Sequence, residues 1–129
     1  SYFKYSYWNP SFGCKVKEST DHQIDLAVRK IRAVSGEQLV MMYINISAIH
    51  YPNYFYVAGQ TQDSVETHAA ALRYVDAELG RLFGAFRDKG RTFVICCSDH
   101  GTCYGEDGYL YHGFNHPLVN TVPYKHFIL

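Results

Sequence analysis

Several features that often reveal a protein's class are missing from this chain of 129 residues. Its 12 lysines and arginines balance 12 aspartates and glutamates, whereas a nucleic-acid-binding protein usually carries a basic excess. No run of roughly 18 apolar residues is present, so the sequence predicts no membrane-spanning helix. No Gly-x-Gly-x-x-Gly follows a strand pattern, which argues against a doubly wound domain that binds a dinucleotide. No repeat or linker suggests a second domain, and residues 1–129 are predicted to form a single domain with a core.

The four cysteines do not have the pattern of a disulfide framework. Cys96 and Cys97 are neighbours whose side chains should point to opposite faces of a strand. Cys14 and Cys103 could pair in principle, but reduced thiols in the cytoplasm are the interpretation that we prefer. A periplasmic location stays open for a longer chain with a signal peptide. A zinc finger lacks the usual close cysteine pair here; its ligands would be Cys97, Cys103, His112 and His116.

Helix patterns and strand patterns alternate along the chain. They are a helix from Thr20 that ends at Gly36, a strand over Leu39–Ile46, a helix from Ser64 to about Lys89 with Asp63 as a candidate cap, a strand over Thr92–Cys97 and a last short strand over Val122–Leu129. The nearly unbroken apolar run at 39–46 is typical of a strand covered on both faces. Strands separated by long helices indicate parallel pairing with right-handed crossovers. We therefore expect an α/β fold with a mostly parallel sheet and flanking helices.

The second strand delivers an acidic and an imidazole side chain together, in Ser98-Asp99-His100-Gly101. Ligands of parallel sheets bind beyond the carboxyl ends of the strands, where Asp99 and His100 lie. Carboxylate oxygen and imidazole nitrogen are both good ligands for zinc or manganese. The pair therefore predicts two metal ligands, although a turn aspartate beside a hydrogen-bonded histidine fits the same residues.

Three further histidines are candidates for the same edge of the sheet. His50 lies just past the predicted strand at 39–46, so two independent loops would converge there. His112 precedes a glycine in a glycine-rich loop, where it could bind a substrate anion or a second metal, or be an ordinary surface residue. His116 stands before Pro117, which fixes an extended backbone at that position, and a structural role is the favoured interpretation for it.

In order and spacing, these segments resemble the alkaline phosphatase superfamily, and within it the sulfatase and phosphoethanolamine-transferase branch. The resemblance covers roughly Leu39 to Tyr124. It is carried by the strand into Ser98-Asp99-His100-Gly101, by Gly105-Glu106, by His112-Gly113, by Thr121-Val122-Pro123, by the helix with Tyr74-Val75-Asp76, and by His50-Tyr51-Pro52, which is similar to the family's His-x-Pro.

The resemblance implies a metal-dependent hydrolase or transferase that acts on small phosphate or sulfate esters, the two anions being left open. Asp99 and His100 would ligate a divalent metal, while His50 and His112 would contact the ester oxygens; His116 is a further candidate. Zinc or manganese is favoured over calcium or magnesium, because one of the two ligands is an imidazole.

The chain departs from the family pattern in its first half. The family's nucleophile and further acidic ligands normally lie there, but Cys14 is followed by Lys15-Val16-Lys17 and not by Cys-x-Pro-x-Arg. We therefore expect the C-terminal portion of a larger alkaline-phosphatase-like catalytic domain, with the nucleophile upstream. Its partner would be the missing N-terminal half, or a second copy at the exposed sheet edge. The alternative is a non-catalytic α/β module that binds an anion or a metal.

Overall fold

The structure is a computed structural model that describes residues 4–129. The chain divides into two compact units, one that extends to Leu82 and one from Phe83 to Leu129. The first contains helix α1 (Ser19–Ala33), most of helix α2 (Val65–Arg87) and two 3-10 turns at Pro10–Phe12 and Tyr54–Tyr56. No helix among residues 4–129 is long and apolar enough to cross a membrane.

Both predicted helices form, and each buries one stripe of apolar side chains. In α1 the buried residues recur at helical spacing, as Ile24, Ala27 and Ile31. The two helices of the first unit are also tied by charge. Arg81 of α2 donates to Asp25 of α1 at 2.7 Å, and it pairs with two further carboxylates, those of Asp21 and Glu78. All four groups are partly exposed, so each pair contributes at most about 1 kcal/mol.

The start of α2 differs by one residue from the prediction. Ser64 and Thr67 cap the helix reciprocally, since each hydroxyl accepts the backbone N–H of the other residue, at 3.2 and 2.8 Å. Asp63, the predicted cap, instead accepts the backbone N–H groups of Asn53 and Tyr54 at 2.6 and 2.8 Å. The carboxylate of Asp63 therefore orders the loop before the helix.

The strand predicted over Leu39–Ile46 is wrong. The segment is irregular, and Leu39, Met41 and Tyr43 are 103%, 84% and 70% exposed. A hydrogen bond connects it to α1, where the Gln23 amide donates to the Asn45 carbonyl at 2.6 Å. An apolar run becomes a buried strand only where neighbouring strands pair with its backbone, and no strand pairs with it in the described part of the chain.

The second unit contains the end of α2 and a chain that folds back on itself. Its elements are β1 (Phe93–Cys97), β2 (Cys103–Tyr104), a 3-10 turn (Glu106–Gly108), β3 (Leu110–Tyr111), helix α3 (Pro117–Asn120) and β4 (Tyr124–Ile128). Successive backbone pairs close one inside the other, namely Cys97 with Tyr124, Gly101 with Val119, Cys103 with Tyr111 and Gly105 with Tyr109. The unit is therefore one long, nested hairpin.

This nesting corrects the predicted sheet. The strands expected at 92–97 and 122–129 are confirmed as β1 and β4, each slightly shorter than predicted. Both strand pairs of the described residues are antiparallel, however, so the mostly parallel sheet is not what residues 4–129 form. A parallel pair needs a second strand that runs the same way, and the strand expected at 39–46 is absent. β1 is also not fully buried, since Phe93 and Ile95 are 60% and 52% exposed.

The corrected core can be tested with two matched substitutions. Ile31→Ala removes a side chain that is 1% exposed, and it should lower the free energy of unfolding by about 2–5 kcal/mol. Leu39→Ala alters the fully exposed residue of the irregular segment and should change that energy by less than about 0.5 kcal/mol. Urea unfolding followed by circular dichroism measures both. A large loss for Leu39→Ala would show that residues 39–46 form a buried strand after all.

Candidate functional site

The loop after β1 is shaped by its own hydrogen bonds. The Ser98 hydroxyl donates to the carbonyl of His100 at 2.5 Å, and Asp99 Oδ1 accepts the His100 backbone N–H at 3.0 Å. These bonds turn the chain at the point where the strand ends. The carboxylate and the imidazole of the predicted metal pair are therefore presented from a defined turn.

Gly101 ends this turn against helix α3. Its N–H donates to the Val119 carbonyl at 2.8 Å. A Cβ atom at residue 101 would lie 1.9 Å from the carbonyl oxygen of Leu118, well inside van der Waals contact. The glycine of Ser-Asp-His-Gly is thus required by the close approach of two backbones, a reason that the sequence alone does not reveal.

The ring of His100 has a defined orientation. Nδ1 lies 2.8 Å from the Gly101 carbonyl, which can only accept, so in the neutral ring Nδ1 carries the proton and Nε2 has the lone pair. A backbone carbonyl in this position is the usual support of a metal-binding histidine. Nε2 lies 3.8 Å from Asp99 Oδ1. Two ligands at about 2.0–2.2 Å from a tetrahedral ion are about 3.4 Å apart, so the pair is slightly wider than one such ion requires.

The Asp99–His100 pair alone supplies only part of a coordination shell. Among residues 4–129, no three side chains of the His, Cys, Asp or Glu type converge as a metal site. Zinc in proteins usually takes four ligands. The residues present therefore fit a divalent ion as two of its ligands, and the zinc finger considered above does not form within the described residues.

The structure brings His112 to His100, although the two lie on opposite arms of the nested hairpin. The ring centroids are 4.0 Å apart, with the planes tilted by 35°. The residue before His112 has a left-handed backbone, Tyr111 with φ 68°, which is uncommon for a non-glycine residue and occurs preferentially at binding sites. Both histidines line one open cleft of about 500 Å³. Its remaining lining residues are Gly113, which the His112-Gly113 motif includes, and four that the sequence did not indicate, Phe114, Asn115, Val119 and Asn120.

His116 is held by protein atoms on both ring nitrogens. Nδ1 accepts the Leu118 backbone N–H at 3.1 Å, and Nε2 lies 3.2 Å from Asp107 Oδ2. The Cys103 sulfur lies 3.4 Å from Nδ1. Cys103 is fully buried, and burial raises the pKa of its thiol, so it remains protonated at neutral pH. All four cysteines are free thiols.

His50 lies in the first unit, in the loop ordered by Asp63. Its Nδ1 is 2.5 Å from the Tyr51 carbonyl, and its ring stacks on that of Tyr51 at 4.2 Å. Asn53, three residues after His50, is fully buried and accepts a hydrogen bond from the Thr67 hydroxyl at 2.5 Å. The sheet-edge argument that grouped His50 with Asp99 required the strand at 39–46, so the role of His50 stays a prediction.

Comparison with known proteins identifies the class. The sulfatase family model matches residues 2–121, nearly the whole chain. The chain therefore belongs to the sulfatase family, and the resemblance seen in its motifs is confirmed. This family typically hydrolyses sulfate esters, generally uses a divalent metal and has an alkaline-phosphatase-like α/β fold. No curated protein and no solved structure gives a significant match.

Because Gly101 closely approaches α3, we expect an alanine at this position to change the free energy of unfolding differently from an alanine at an unhindered glycine. Gly101→Ala should lower the free energy of unfolding by about 1–3 kcal/mol, because the new methyl group displaces the Leu118 carbonyl. Gly80→Ala is the matched control, since nothing lies within 4 Å of its Cβ position in α2, and it should stabilise by about 0.5–1 kcal/mol. Thermal and urea unfolding measure both variants. Equal effects of the two substitutions would contradict the contact.

The Glu106 carboxylate, in the β2–β3 loop, makes the stability of the protein depend on pH. Its carboxylate accepts the backbone N–H of Tyr104 at 2.5 Å, and this bond lowers the Glu106 pKa below its ordinary value of 4.5. Because the folded pKa is depressed, the stabilisation is present above pH 4.5 and is lost as the pH falls through the folded pKa. The difference in unfolding energy between the parent and Glu106→Gln should therefore shrink on acidification. A difference that is constant across that range would show that the carboxylate charge does not matter.

Proposed function

We propose that this chain supplies part of the metal and substrate site of a metal-dependent hydrolase or transferase of sulfate or phosphate esters. Its membership in the sulfatase family supports the class of reaction. The observation that carries the proposal is the cluster at the turn after β1. There, Asp99 Oδ1 and His100 Nε2 lie 3.8 Å apart, and the His112 ring is 4.0 Å from that of His100.

Each residue has a role that follows from its chemistry. Asp99 and His100 would hold a divalent ion, with zinc or manganese favoured because the pair combines oxygen and nitrogen. When bound, the ion would polarise the ester and stabilise the negative charge that develops on its oxygens. His112 would donate a hydrogen bond to a sulfate or phosphate oxygen in the adjoining cleft, and His50 would do so from its own loop.

The nucleophile is proposed to lie upstream, in a larger catalytic domain of which this chain is the C-terminal portion. That arrangement would supply the remaining metal ligands and the group that attacks the ester. A reducing, cytoplasmic location is a further proposal, which rests on the cysteine pattern of the sequence.

Substitution of the metal pair tests the proposal. In the longest natural chain that contains these residues, Asp99→Ala and His100→Ala should each abolish stoichiometric zinc or manganese. Turnover of an aryl sulfate or an aryl phosphate should fall at least about a hundredfold, since even supporting residues of metal sites contribute 10- to 100-fold. Elemental analysis and a chromogenic assay provide the two readouts.

Two exposed residues of the same unit serve as controls, namely Asp88 after α2 and His126 on β4. Their alanine variants should retain metal and turnover, which excludes a general effect of removing an acid or an imidazole. Full activity of either Asp99→Ala or His100→Ala would rule the assignment out. Metal or anion binding through the same pair, without turnover of either ester, would instead support the non-catalytic module.

A further inference from the structure

We infer that His116 is a positioning residue that holds the metal-pair turn in place through helix α3. This inference rests on the proposed function, because it concerns the orientation of His100, one of the proposed ligands. His116 itself lies outside the residues that line the cleft. It is 7% exposed, and its ring is enclosed by other side chains.

The first step is the hold of His116 on α3. Its side chain caps the helix, with Nδ1 accepting the Leu118 N–H at 3.1 Å. Its backbone carbonyl accepts the N–H groups of Val119 and Asn120, both at 3.0 Å. A helix of four residues has few hydrogen bonds of its own, so its cap contributes a large share of what fixes it.

The second step runs from α3 to the turn. The carbonyl of Val119 accepts the Gly101 N–H at 2.8 Å, and the Leu118 carbonyl occupies the space where a side chain at residue 101 would be. The carbonyl of Gly101 in turn receives the His100 Nδ1–H at 2.8 Å. A displacement of α3 therefore reaches the group that selects the tautomer and the direction of the His100 ring.

His116 is also fixed on its other side. Nε2 donates to Asp107 Oδ2 at 3.2 Å. The sulfur of Cys103, the first residue of β2, lies 3.4 Å from Nδ1. The rings of Tyr109 and Phe114 flank the imidazole at centroid distances of 5.5 and 6.3 Å. One side chain thus joins α3, which contacts the turn at Gly101, to the β2–β3 loop. An asparagine could reproduce the cap but not this span.

The test compares His116→Ala, His116→Asn and Asp107→Ala with the parent, with His126→Ala as the control for loss of an exposed histidine. Long-range ¹H–¹⁵N correlation spectra of the metal-free protein report the His100 tautomer, assigned by the signals that vanish in His100→Ala. Titration calorimetry with Zn²⁺ gives the second readout. A group that merely stabilised the fold would leave the His100 tautomer unchanged.

His116→Ala should lose the preference of His100 for Nδ1–H and bind Zn²⁺ at least fivefold more weakly. His116→Asn keeps the cap but loses the contact with Asp107, so its Zn²⁺ affinity should fall between those of the parent and of His116→Ala. Asp107→Ala frees one end of the ring and should shift the tautomer in the same direction by a smaller amount. His126→Ala should match the parent in both measurements.

The outcomes separate this inference from the function on which it rests. Parental tautomer signals in both His116→Ala and Asp107→Ala would overturn the positioning role. If His116→Ala does not fold, Asp107→Ala decides, because its side chain is on the surface and 82% exposed. Parental Zn²⁺ affinity in His100→Ala would overturn the metal site, while the tautomer measurement would still decide the role of His116.

Discussion

The hydrogen bond between the Gly101 N–H and the Val119 carbonyl is the constraint on which the second unit depends. It joins the end of β1 to the helix that precedes β4, midway between the β1–β4 ladder and the shorter β2–β3 ladder. Each closure shortens the loop left for the next, so the entropic cost of every further pair is reduced. The bond also requires a residue without a side chain at position 101, because the two backbones meet there.

The nested hairpin also explains how distant residues come to share one site. Asp99 and His100 lie on its outgoing arm, and His112 lies on its returning arm. A hairpin places such residues opposite each other, whereas a parallel sheet would bring together only the ends of separate strands. The proposed metal pair and its neighbouring histidine therefore belong to a single stretch of chain that closes locally.

Local patterns predicted the parts of this structure that local forces decide. The helices over 19–33 and 65–87 follow from apolar spacing, and β1 from a short apolar run with a sharp end. The motif predicts Asp99 and His100 as metal ligands, and the structure keeps the two side chains near each other because the residues are adjacent in the chain. The strand prediction for Leu39–Ile46 is wrong for the opposite reason. Strand formation there depends on partner strands, which the sequence of a single segment does not encode.

The supporting residues could not be predicted because their roles arise from folding. Nothing in the sequence around Asn53 reveals that it is buried and bonded to Thr67, 14 residues away. For His116, the following Pro117 predicts the extended backbone that the structure shows. It does not predict the contacts of the ring with Asp107 and Cys103. The requirement for glycine at 101 likewise depends on a carbonyl that arrives from α3.

The alternation of side chains along β1 has a practical consequence for chemical labelling. Cys96 is half-buried, and burial raises the pKa of its thiol, whereas Cys97 faces solvent on the opposite side of the strand. Cys103 is enclosed completely. Because a maleimide reacts with an exposed thiolate and Cys14 is also only partly exposed, Cys97 is the best attachment point of the four. A fluorophore there would lie two residues from Asp99, where it can report on metal binding while every proposed ligand remains unmodified.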